Sequence, residues 1–192
     1  MFAVVLCVET TSAQTVQNKP VARMITGSSE VKGYTRPRRV NSPEAGAAVT
    51  TLTASPTFDE ANETERRAFE VTNQVRRQNG LGPLAWDNQL CLMARSHSEN
   101  MARTGFFSHK TQEGLRLRQR ARAAGISRYK VLGENIAYNQ GFDDPGAFAV
   151  ERWMVSPGHR GNILSDEFRA AAIGTFLAAD GTVYLTQVFI LR

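Results

Sequence analysis

Apolar side chains recur at helical spacing along the middle of this chain and at strand spacing near its end. From Phe58 to Gly80 the first turns carry acidic residues and the last carry basic ones, the order the helix dipole favours, and Gly80 is a stop signal. This predicts a helix of about five turns. Asp87 is placed to cap a second helix, along which Leu90, Met93, Ala94, His97 and Met101 fall at offsets of 0, 3, 4, 7 and 11 before Gly105 ends it. His97 therefore points into the core, and a buried, hydrogen-bonded histidine between helices is preferred to a ligand. The run LRLRQRARAAG alternates like a strand, but its Ala and Arg content, its length and Gly125 favour a short helix. Asp144 and Pro145 open another helix with Gly146, Val150, Trp153 and Met154 on one face, and SPGHRGN is expected to break it. Finally, AAAIGTFLAADGTVYLTQVFILR reads as two β-rich runs joined at Asp180-Gly181, a hairpin signal. Helices first and a hairpin last predict an α+β domain with helices packed on an antiparallel sheet.

The first part of the chain has no such period. Residues 14–56 hold four prolines among scattered small polar residues and are expected to be a disordered leader or linker. Before them, an apolar stretch from Phe2 to Val8 and small residues up to Ala13 read as a secretory signal, residues 1–13, with an N-terminal tail or a misassigned start codon as the alternative. Leu6 precedes Cys7, so there is no lipid-attachment context. The folded domain is expected over residues 57–192.

Composition narrows the classes. Of 192 residues, 42% are hydrophobic, and no run approaches the roughly 18 apolar residues of a membrane span, so one core fits and no span is expected once the signal is removed. Two cysteines allow one bridge at most, which excludes a disulfide scaffold and an all-cysteine zinc site. The net charge of +5 divides unevenly: residues 1–56 hold six basic and three acidic side chains, and residues 57–192 hold 17 and 15. Between Lys110 and Lys130 there are seven basic residues and one acidic. A solvated helix face is preferred there to a polyanion site, because no aromatic residue interrupts the Arg run to stack on bases, and a nucleic-acid partner is not expected.

The candidate chemistry lies between the predicted elements. His109 in FFSH, Glu134 in GENIA and His159 in SPGHRGN are all expected in loops, where functional side chains concentrate. Two imidazoles and a carboxylate make a zinc ligand set, and equally an acid/base pair with an orienting carboxylate. Their even separations of 25 residues are far from the compact spacing of a helical metal motif, and spacing alone favours three unrelated residues over a shared site. Ser156 lacks the glycine elbow of a serine nucleophile, and Cys91 reads as a small packed residue.

Taken together, NQVR at Asn73–Arg76, GLGPLAWD, LxxxARxHSxxMA ending at Ala102, FSH ending at His109, GENIA, WMVSPGHRGNIL and YLTQVF resemble a bacterial member of the CAP superfamily, the SCP-domain proteins, over residues 60–192 in unbroken order. The resemblance implies a three-layer α-β-α sandwich with a mainly antiparallel sheet, usually secreted, and a cleft lined by two histidines and two acidic residues. His109 and Glu134 match two of these four positions. Ser156 stands at the second acidic position and Tyr184 at the second histidine position, while His159 belongs to the bacterial SPGHR variant and is expected to fill the vacated space. The resemblance also implies zinc or another divalent cation in the cleft, held by His109, Glu134 and His159.

Two function classes follow. One is a monomeric, secreted or periplasmic binding module that takes a metal ion or a small ligand, lipid, glycan or envelope partner, with Asn135, Ser156, Tyr184 and Gln187 as further lining or positioning groups. The other is a hydrolase in which Glu134 is the general base for a metal-bound or His-activated water. The first is preferred, because the chain has no recognisable nucleophile motif.

Overall fold

A computed structural model describes residues 21–25, 30–31 and 58–192, with side chains over the last of these ranges. The expected signal segment 1–13, and most of the leader that follows it, lie outside the described residues.

The first helix, α1 (Glu63–Gln78), starts later than its charge pattern predicts, after a 3-10 turn at Phe58–Glu60. Asn62 sets the start: its side chain accepts from Glu65 N at 2.9 Å, and the Glu65 carboxylate accepts from Asn62 N at 3.0 Å. This reciprocal cap satisfies two of the amide donors that every helix start leaves free. Asp87 caps α2 (Asn88–Thr104) as expected, and Gly105, at φ 63°, ends it in the left-handed conformation that costs glycine nothing. The short basic helix is α3 (Leu117–Ala123), and α4 (Pro145–Met154) begins at the Asp144 cap and Pro145.

Among the described residues six strands form one sheet in the order β1 (Val21–Ile25), β4 (Val131–Gln140), β6 (Val183–Leu191), β5 (Ala170–Leu177) and β3 (Ala85–Trp86), with β2 (Glu30–Val31) also on β4. The expected hairpin is β5 (Ala170–Leu177) and β6 (Val183–Leu191), joined at Asp180-Gly181. The sheet is mixed: β3 (Ala85–Trp86) lies parallel to β5, and every other pairing is antiparallel.

Three expectations need correction. GENIA is not a loop, for it lies inside β4 (Val131–Gln140), the strand paired with β6 along nearly its whole length. SPGHRGN does not end a helix in coil, since Pro157–Ile163 forms a further helix, α5, with its proline in the first turn, where the missing N–H costs nothing. Within the leader, β1 (Val21–Ile25) and β2 (Glu30–Val31) pair antiparallel with β4 and cover an edge that would otherwise present unpaired backbone groups.

Because side chains alternate along a strand, β4 supplies both faces of the sheet. Leu132, Val188, Ile190 and Ala172 pack with α2 and α3 side chains on one face. Ala137, Leu185, Phe189 and Ile173 pack with α1, α4 and α5 side chains on the other. The result is a three-layer α-β-α sandwich. Gly174 shows how tightly α2 sits, since a Cβ there would lie 2.1 Å from Arg95 N. Near the same end of β5, Arg95 grips the buried Glu65 at 2.8 and 2.6 Å and joins the two helical layers.

Candidate functional site

Gly105 turns the chain out of α2 into the loop that carries His109. Buried His97 on α2 fixes that loop through its Nε2, 3.0 Å from the Ser108 carbonyl, so this histidine is hydrogen-bonded in the interior and holds a loop rather than a second helix. Burial pushes its pKa down to about 4, against the pull of the Glu134 charge.

Glu134 lies on the α2 face of β4, with Asn135 turned to the opposite face. His109 Nδ1 meets Glu134 Oε1 at 2.9 Å, so the sequence-predicted pair does converge. The other carboxylate oxygen accepts from Arg120 Nη2 at 2.7 Å, and the same Nη2 donates to the His109 carbonyl at 3.2 Å. Both Glu134 and Arg120 are buried, whereas 24% of the His109 side chain is exposed. Burial alone would raise the Glu134 pKa. The Arg120 charge, the His109 hydrogen bond and the nearby imidazoles more than reverse this and hold it at about 2. Near neutral pH the carboxylate is ionised, and each of its oxygens has a protein partner.

Sequence reasoning missed Arg120 by counting it into a solvated basic face. The available signal was its offset from Leu117 and Ala121, three residues after one and one before the other, which places all three on the inward side of α3.

His159 does not join this centre. It is buried in α5, and that helix belongs to the opposite layer, so the β-sheet separates it from the Glu134 carboxylate. Its carbonyl accepts from Asn135 Nδ2 at 3.3 Å, and Asn135 also donates to Gln187 Oε1 at 3.0 Å. Asn162 donates to Asn135 Oδ1 at 2.9 Å, and Gln187 donates to Thr72 Oγ1 at 2.8 Å. Asn135 and Gln187 thus belong to a buried polar network that ties β4 and β6 to α1 and α5. They do not line a cleft with Glu134.

Ser156 caps α5 in position only, making no side-chain cap bond. Tyr184 lies on the Glu134 face, paired across strands with Tyr138, whose ring is 5.5 Å from it. Phe107, two residues before His109, meets the Tyr138 ring edge-on at 4.9 Å. The two tyrosines and Phe107 are half-buried and form an aromatic line on the same face as the His109–Glu134 pair.

The donor set does not fit a divalent cation. Among the described residues no three His, Cys, Asp or Glu side chains are grouped to hold one, and a guanidinium occupies the Glu134 oxygen that a metal would need. A nucleophile is equally lacking at Cys91, the buried thiol of α2, whose pKa burial raises to about 12.

The sequence model of the CAP family, described as the cysteine-rich secretory protein family, matches residues 69–189. The chain belongs to this family. It is 34% identical over 128 residues to the uncharacterized membrane protein YlbC of Bacillus subtilis, a match covering 67% of this chain and 34% of that one. It is 31% identical over 177 residues to the uncharacterized protein YkwD of the same organism, covering 92% of this chain and 65% of the relative. The chain thus spans about a third and about two thirds of these relatives. Among solved structures it resembles an extracellular SCP-domain protein from Bacillus anthracis, at 30% identity and a TM-score of 0.59, over 69% of this chain and 42% of that one. The α-β-α sandwich is therefore that of a CAP domain.

Proposed function

We propose that this CAP domain is a non-catalytic, extracytoplasmic binding module. The observation that carries the reading is the double engagement of Glu134. A carboxylate held near pKa 2, with Arg120 on one oxygen and His109 on the other, is too weak a base to activate water near neutral pH. Its role is to orient His109, whose exposed part is the polar group offered to a guest. The aromatic line of Phe107, Tyr138 and Tyr184 supplies flat apolar surface on the same face. Of lipid, glycan and peptide guests, a glycan best combines a flat apolar face with hydroxyl groups for the imidazole. Location outside the cytoplasm is supported by the extracellular Bacillus anthracis relative and by the signal-like first residues. Among the described residues, no helix is long and apolar enough to cross a membrane.

The test is titration of the full chain with a soluble chito-oligosaccharide, beside a turnover assay on peptide and ester libraries. Saturable binding that His109→Ala and Tyr184→Ala weaken, without turnover, supports the proposal. Turnover that disappears in folded Glu134→Gln overturns it in favour of the hydrolase.

A further inference from the structure

The α5 helix lies across the sheet from the Glu134 carboxylate, yet one of its side chains reaches the Glu134 backbone. Asn162 Nδ2 donates to the Glu134 carbonyl at 3.2 Å and to Asn135 Oδ1 at 2.9 Å. Asn135 Nδ2 in turn donates to the His159 carbonyl at 3.3 Å. His159 and Asn162, three residues apart, both belong to the buried face of α5, so this helix grips two adjacent residues of β4. Asn162 is only 2% exposed, and water does not compete for its bonds.

The grip falls where β4 has least support from its own sheet. Pairing with β1 ends at Ile136 and pairing with β2 at Leu132, so among the described residues Gly133, Glu134 and Asn135 have a strand partner only on the β6 side. Gly133 lets the α5 layer close on this stretch. A Cβ there would lie 2.8 Å from Phe168 Cζ and 3.1 Å from Asn162 Oδ1, so a larger residue would push the amide away from β4.

Alternation along the strand turns this backbone contact into control of the opposite face. The peptide units flanking Glu134 set the direction in which its side chain leaves β4 towards α2. A tilt there would carry the carboxylate away from His109 Nδ1 and Arg120 Nη2, which it meets at 2.9 and 2.7 Å. Thr72, in the same buried network, lacks this reach: it is bonded to the Ala68 carbonyl and to Gln187 Nε2, with the Asn135 side chain beyond them.

We infer that Asn162 is a positioning residue for the His109–Glu134 pair, holding from the α5 layer the peptide unit from which Glu134 projects into the α2 layer. This role rests on the reading that Glu134 orients His109. It needs no guest, so failure of the glycan titration leaves it standing.

NMR of the full chain near neutral pH tests the role. With Glu134 ionised, His109 Nδ1 carries the shared proton, and the exchange of that proton with water and the ¹⁵N shift of the ring report the pair directly. Asn162→Ala should speed this exchange about tenfold, the loss of one hydrogen bond, and Asn162→Ser, which keeps one donor, by less. Thr72→Val, which strands Gln187 Nε2 in the same network, should lower the thermal melt but leave the His109 signals at their wild-type positions. Equal displacement of those signals by Thr72→Val and Asn162→Ser would make Asn162 a structural member of the network only and overturn the assignment. Wild-type exchange in folded Asn162→Ala would overturn it as well. A second measurement needs no variant: scalar coupling across the hydrogen bond from Asn162 Nδ2 to the Glu134 carbonyl carbon is expected in the wild type. Its absence, with the corresponding coupling from Asn73 Nδ2 to the Leu84 carbonyl present as control, would also overturn the assignment.

Discussion

Arg120 Nη2 lies 2.7 Å from Glu134 Oε2, inside a domain where both side chains are almost wholly removed from solvent. A buried pair of this kind contributes little net stability when intact, because desolvation offsets attraction, but removing one member strands the other. Arg120→Ala should therefore cost about 3–5 kcal/mol, with Arg120→Lys milder. Urea denaturation of the three proteins at neutral pH measures this, and an Arg120→Ala loss below about 1 kcal/mol would contradict a buried charge pair.

Acid should destabilise the fold in two successive windows. His97 has a folded pKa of about 4 against 6.5 unfolded, so the unfolded chain takes up its proton first, and stability falls as pH drops from 6.5 towards 4. Glu134, depressed from 4.5 to about 2, contributes stability that is present above 4.5 and lost as pH falls through 2. Denaturation midpoints between pH 4 and 7 should slope in the wild type and flatten in His97→Gln, and equal slopes in the two proteins would remove His97 as the cause.

Gly174→Ala tests the packing of α2 on β5. The added methyl would meet the Arg95 amide nitrogen at 2.1 Å and the Ala94 carbonyl carbon at 2.4 Å, and backbone of a helix cannot move aside as a side chain can. A loss of at least about 3 kcal/mol is expected from this overpacking. Gly161→Ala, with nothing within 4 Å of its Cβ, is the control and should fold normally.

The helices were legible where local rules act alone. Asp87 before the Leu90–Met101 face, and Asp144-Pro145 before Val150 and Trp153, are signals that tertiary context left standing. β4 was hidden because helices cover both its faces, so VLGENIAYNQ lacks the alternation of a half-exposed strand, and its Asn135 and Asn139 are polar yet buried and bonded. α5 was hidden because Pro157 and two glycines read as breakers, although proline is tolerated in a first turn. At the site, the His109–Glu134 pairing came from the family resemblance. His159 was misplaced for want of β4, since only the sheet reveals that Glu134 and α5 lie on opposite sides of it.

Zinc separates the two site geometries. With His159 across the sheet and Arg120 on Glu134, isothermal titration should show no stoichiometric zinc uptake that depends on both His109 and His159. One equivalent lost in His109→Ala and His159→Ala alike would require a different arrangement of the three residues.

The central proposal is that Glu134 is ionised near neutral pH, is engaged on both oxygens, and orients His109 instead of acting as a base. Carbon-13 NMR titration of the Glu134 side-chain carboxyl reads this directly. The account predicts a titration near pH 2 in the wild type, shifting upward in Arg120→Lys and His109→Ala, and a midpoint at or above 4.5 in the wild type would contradict it.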